Sequence, residues 1–132
     1  MDELRIIVAG SRNFKDEGFV ARKIDAFLVE LIEGTKTPIQ SVTIISGGCR
    51  GVDTFGENYA KLRHYNIKRF LPDWATYGRG AGPIRNDSMA RFAAEKNGYL
   101  LAFWDGKSAG TRSMIAIARN YNVNIRIIKI TT

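Results

Sequence analysis

The sequence lacks most of the residues that would announce a metal or redox chemistry. It holds one cysteine, Cys49, and one histidine, His64. A lone cysteine excludes an internal disulfide framework and a multi-cysteine metal site, and a lone histidine leaves little for zinc. No metal and no cofactor are therefore expected. Such counts suit a reducing compartment, so a cytoplasmic location is expected. No apolar stretch approaches the ~18 residues of a membrane span, and Met1-Asp2-Glu3 lacks the basic start of a secretion signal. No membrane partner is expected. Acidic residues are in deficit, 13 against 20 basic, which gives a net charge of +7. That imbalance favours an anionic partner without choosing among nucleotide, nucleic acid and a charged surface. No run of five basic residues occurs, so the scattered charge reads equally well as a solvated surface.

What is present is ordinary for a globular chain: 132 residues, 45% hydrophobic and 25% charged. That length fits one domain over residues 1–132 with a core of its own. Five short apolar runs predict strands at Leu4–Ala9, Val42–Ser46, Ile67–Leu71, Tyr99–Trp104 and Asn124–Ile130. The first four are nearly continuous, as strands covered on both faces must be; the last alternates, which suits an edge. Between them, apolar residues at helical spacing predict helices over Asp16–Glu33, Gly51–Tyr65, Pro83–Asn97 and Gly110–Asn122. Strict alternation of strand and helix implies a doubly wound α/β domain with a parallel sheet and helices on both faces. A ligand is then expected beyond the carboxyl ends of the strands.

Polar and glycine-rich positions follow the strands. They are Gly10-Ser11-Arg12, then Ser46-Gly47-Gly48-Cys49-Arg50-Gly51-Val52-Asp53, then Asp73-Trp74, then Asp105-Gly106-Lys107-Ser108-Ala109-Gly110-Thr111. Four such segments converge on one rim. Glycines let backbone N–H groups approach an anion, and helices opening near Gly51 and Gly110 add the positive ends of their dipoles. Arg12 and Arg50 offer bidentate contacts to phosphate or carboxylate. Ser108 and Thr111 either cap the last helix or donate to a phosphate. Asp53 either favours its helix dipole or bonds a ribose hydroxyl. Trp74 either stacks on a base or packs over the sheet edge. Asp105 is either a carboxylate beside a glycosidic bond or an acceptor that holds its loop. Asp53, Asp73 and Asp105 are thus the candidate catalytic carboxylates.

Tyr77–Asn86 reads as a lid, because its three glycines and two arginines precede a helix with Arg85 and Asn86 in the first turn. Arg85 is the leading ligand-contacting cation. Cys49 reads as a small residue filling a tight loop, and His64 as a helix-end residue.

These residues together resemble the SLOG superfamily, the nucleotide-binding group named for the SMF/DprA and LOG proteins. Gly10-Ser11-Arg12, Ser46-Gly47-Gly48, Arg50-Gly51-Val52-Asp53, Asp73-Trp74, Gly82-Pro83-Ile84-Arg85-Asn86, Trp104-Asp105-Gly106 and Gly110-Thr111 point to its YspA-like, cpYpsA-related branch. The resemblance implies a five-stranded Rossmann-like sheet of order 3-2-1-4-5, a nucleotide-like ligand and a homodimer. It implies Gly10, Ser11, Arg12, Gly47, Gly48, Asp53, Arg85, Asn86, Gly110 and Thr111 as site positions. LOG proteins, which cleave the N-glycosidic bond of nucleoside monophosphates, carry Pro-Gly-Gly-x-Gly-Thr-x-x-Glu. Here Lys107-Ser108 replace the two glycines and Met114 replaces the glutamate. The expected function is binding or sensing of a nucleoside phosphate or ADP-ribose-like ligand. The alternatives are an N-glycosidic hydrolase or transferase, and a DprA-like binder of single-stranded nucleic acid.

Overall fold

The apolar runs Leu4–Ala9, Val42–Ser46 and Tyr99–Trp104 become central strands covered from two sides, whereas the run at Ile67–Leu71, expected to be covered likewise, forms a largely exposed edge strand. The computed structural model describes residues 3–34 and 41–132. Among them the elements are β1 (Glu3–Gly10), α1 (Glu17–Gly34), β2 (Ser41–Ser46), α2 (Val52–Leu62), β3 (Asn66–Arg69), α3 (Trp74–Tyr77), a 3-10 turn (Gly78–Gly80), α4 (Ala81–Ala94), β4 (Tyr99–Trp104), α5 (Ala109–Asn120) and β5 (Asn124–Lys129). All strand pairs are parallel and the order is β3-β2-β1-β4-β5, the doubly wound Rossmann-like order. Chain order reverses between β1 and β4. Loops leaving those two strands therefore run to opposite faces and open a crevice between them.

Alternate residues of β1 supply both cores. Ile6 and Val8 pack with Val20, Ile24 and Phe27 of α1 and with Tyr59 and Ala60 of α2. Ile7 and Ala9 pack with Met89 and Ala93 of α4 and Met114 and Ala118 of α5. Ile6, Ile7, Ile44, Ile45 and Leu101 are fully buried, each contributing about 1.5–3 kcal/mol over an exposed position. Arg5 locks α4 to β1: its guanidinium donates to Phe92 O at 2.6 Å and Glu95 Oε1 at 2.9 Å, and lies 3.6 Å over the Phe92 ring. This fixes the height of α4 and hence of Arg85 and Asn86 above the sheet.

Boundaries depart from the periodic pattern where a turn intervenes. α2 stops at Leu62 rather than Tyr65 because His64 takes a φ of 58° and reverses the chain. β3 ends at Arg69, although Phe70 N–H still donates to Ser46 O at 2.8 Å. The expected lid is not a loop. Its glycines lie in the 3-10 turn and the first turn of α4, so Arg85 falls one turn deeper in that helix than the sequence suggests. β5 is the edge strand expected, but its burial does not alternate, since Ile127 is exposed while Ile125 and Ile128 are half-buried. No helix among the described residues is long and apolar enough to cross a membrane.

Candidate functional site

The crevice between the β1 and β4 loops is a cleft of about 410 Å³. It brings together Gly10, Ser11, Arg12, Asp53, Arg85, Asn86, Asp105, Gly110 and Thr111, nine of the positions expected from sequence. Gly47, Gly48, Arg50 and Trp74 line a neighbouring groove that shares Arg12 and Cys49 with the cleft. Ser46 is fully buried beneath the loop. Asp73 stands apart: its carboxylate accepts from Thr76 N–H at 3.1 Å as the N-cap of α3, and it lines a separate depression. Asn13, Met89, Lys107 and Met114 also line the cleft and were not singled out as contacts.

Asp53 forms the floor. It is 6% exposed, and burial pushes its carboxyl up from 3.8 to about 6. The N–H groups of Cys49 (3.3 Å) and Gly10 and the positive charge of Arg85 pull the other way without cancelling that effect. Gly47 permits this arrangement, since a Cβ there would stand 2.6 Å from Arg85 Nη1 and 3.0 Å from Asp53 Oδ2. Arg85 Nη1 instead donates to Gly47 O at 2.6 Å, while its Nε donates to Asn86 Oδ1 at 2.9 Å. The cation is held over the floor by these two bonds.

One helical turn behind Asp53 lies Glu57, also buried. Burial raises its affinity for a proton, but Arg69 and the Ser46 hydroxyl (2.6 Å to Oε2) outweigh that and hold the carboxyl low. Ser46 Oγ accepts Gly48 N–H at 3.0 Å in return. Glu57 thus serves the loop as a charged brace. The spacing Asp53-x-x-x-Glu57 places both carboxylates on one helix face, a signal visible in the sequence. Arg69 comes from β3 and could not have been paired with it by spacing.

Asp105 is committed to its own loop. Oδ1 accepts from Lys107 N–H (2.8 Å) and Ser108 N–H (2.9 Å), bonds that hold its carboxyl below the usual range, and Thr132 donates to Oδ2 at 3.0 Å. The loop so fixed delivers the N-terminus of α5 to the cleft. Ser108 is the N-cap but makes no side-chain cap bond; its hydroxyl instead lies 3.3 Å from that of buried Thr111. The first turn of α5 therefore keeps N–H groups without side-chain partners, where an anion is favoured. Arg12 and Lys107, both exposed, add positive charge at the mouth.

The cleft joins a helix N-terminus without a side-chain cap to a buried hydrogen-bonding carboxylate, at the strand-order reversal of a Rossmann-like sheet. These features define an α/β protein of the doubly wound class, with its cleft where such folds place a ligand. Residues 4–77 match the YspA, cpYpsA-related SLOG family, and the chain belongs to that family. It is 31% identical over 126 residues to the Gene 61 protein of Mycobacterium phage D29, covering 92% of this chain and 93% of that one. No solved structure matches the chain.

Proposed function

We propose that the cleft binds or senses a nucleotide or nucleotide-derived ligand, such as a nucleoside phosphate or an ADP-ribose-like molecule. The observation that carries this reading is the pairing of Asp53 with the open first turn of α5 across one cleft. In this reading phosphate would lie at Gly110 and Thr111, with Arg12 and Arg85 as its cations, and a sugar hydroxyl at Asp53. Membership of the SLOG family supports a nucleotide-related role.

Gly110 adds a structural argument. It lies inside α5, and a Cβ there would meet no atom within 4 Å. A glycine in a helix costs about 0.5–1 kcal/mol relative to alanine, and no packing demands it here. A phosphate lying against the backbone would account for it. Gly110→Ala is expected to stabilise the fold by about that amount while weakening AMP binding roughly tenfold, as loss of one bond to a charged group would. Calorimetry with AMP and urea unfolding measure the two effects; unchanged AMP affinity removes α5 from the site.

The raised Asp53 carboxyl supports one further reading, because a carboxylic acid that keeps its proton towards neutrality is a candidate general acid for base removal. Against it stands Met114. Its side chain lines the cleft in place of the LOG glutamate, and a thioether neither transfers a proton nor offsets an oxocarbenium charge. Incubating pure protein with AMP, CMP or GMP is therefore expected to release no free base by chromatography. Release that disappears in Asp53→Asn would make the protein a hydrolase.

A further inference from the structure

The groove beside the cleft holds about 440 Å³ and is walled by Arg12, Gly48, Arg50, Leu71, Pro72 and Trp74. It meets the cleft along Arg12 and Cys49, which line both. Each space by itself falls within the ~300–1,000 Å³ of a small-ligand pocket. A mononucleotide seated in the cleft would leave the second one empty.

Folding does not explain four of the residues in that second space, Arg12, Arg50, Leu71 and Trp74. Trp74 is 53% exposed, and among the described residues its ring pairs with no other aromatic and no cation. Its outer edge lies against Gly82, 3.9 Å from the site of an added Cβ, so α4 backs the indole on one side. Leu71, 66% exposed, extends the apolar surface. Arg12 and Arg50 are both exposed, and neither is in an ion pair among the described residues. The one side-chain bond recorded for Arg50 is a long contact, 3.4 Å to Asn13 Oδ1. Two unpaired guanidinium groups beside an uncovered indole suit an anion followed by a flat ring.

We propose that cleft and groove form one two-lobed site for a ligand with two bases joined through phosphate, a dinucleotide. The first nucleotide occupies the cleft, the linking phosphate lies on Arg12 and Arg50, and the second base stacks on Trp74. This rests on the nucleotide reading of the cleft and adds the class of ligand to it. Two lobes suit two rings; a groove tracking a longer strand needs several cations beyond Trp74, and α3 and the turn after it carry only Arg79.

Calorimetry with AMP, 5′-phosphorylated diadenylate and a 5′-phosphorylated twelve-residue oligoadenylate tests it on the wild-type chain, Trp74→Ala and Trp74→Phe. Diadenylate is expected to bind about 5- to 150-fold tighter than AMP, the worth of one base–aromatic stack. Trp74→Ala should remove the part of that advantage due to stacking without changing AMP affinity, and Trp74→Phe should keep most of it. The oligoadenylate should gain nothing over diadenylate. Equal affinity for AMP and diadenylate overturns the second lobe and leaves the cleft standing. A steady gain with strand length overturns it in favour of single-stranded nucleic acid. A Trp74-dependent change of oligomeric mass in sedimentation overturns it in favour of a second copy of the chain. Absence of binding by any probe removes the cleft reading and this proposal together.

Discussion

Asp53→Asn is expected to make the protein more stable at pH 7.5, by about 1–3 kcal/mol, while weakening its ligand. The Asp53 carboxyl is raised from 3.8 to about 6 by burial. A group that binds its proton more tightly in the folded state stabilises the fold when protonated. That stability is fully present below about pH 4 and is lost as the pH rises through about 6. A shift of about two units corresponds to about 3 kcal/mol at ~1.36 kcal/mol each. Asparagine removes the penalty, but its NH2 cannot accept the N–H that one carboxylate oxygen now takes from Cys49 or Gly10, so about one hydrogen bond is returned. Urea unfolding at pH 4 and 7.5 separates the contributions. Wild type should lose stability between those values, the variant should lose less, and their curves should converge at low pH. A variant less stable than wild type at pH 7.5 would show that Asp53 is a structural acceptor and not a strained site residue.

That strain explains which candidates the sequence could separate and which it could not. Asp53, Asp73 and Asp105 each follow a strand in a polar loop, so position alone gives them equal standing. Their difference lies in the N–H groups they meet. Asp73 takes Thr76 N–H and Asp105 takes those of Lys107 and Ser108, so both are committed to local turns, as aspartates in loops tend to be. Asp53 is removed from water by the packing of α2 on β1, where Gly56 sits against Val8, a contact between residues far apart in sequence. The parallel sheet was legible because continuous apolar runs allow little but a doubly covered sheet, whereas its order came only with the family resemblance. Tyr77–Asn86 was misread for the opposite reason. Glycine-rich composition argues for a mobile loop, and what winds the segment into a 3-10 turn and α4 is partly tertiary, with Ala81 buried at 1% and Arg85 anchored on Gly47. Cys49, which lines both lobes, matches the small loop residue expected, with Arg85 Nη1 3.9 Å from its sulfur.

Gly51→Ala is expected to be the most damaging single-methyl change in the site, costing about 2–6 kcal/mol and ligand binding with it. Gly51 is the N-cap of α2 with φ 77° and ψ −130°, a backbone region nearly confined to glycine and worth about 1–3 kcal/mol of strain for other residues. A Cβ there would also stand 2.4 Å from Ser11 O and 2.7 Å from Arg12 O. Both obstacles are backbone, so no rotamer relieves them, and overpacking of this kind adds about 1–3 kcal/mol. The displaced segment is the one whose Ser11 O accepts Val52 N–H at 3.2 Å, so the β1 loop would move away from the start of α2. Gly10 N–H would then leave Asp53, and Arg12 would leave the mouth shared by the two lobes. Gly106→Ala is the control, because φ is 83° there but a Cβ would meet nothing within 4 Å. Torsional strain alone, about 1–2 kcal/mol, is expected from it. Thermal unfolding of the two variants isolates the cost of the overlap. If Gly51→Ala is no worse than Gly106→Ala and still binds AMP as wild type does, the contact between the β1 loop and the start of α2 does not hold the site together.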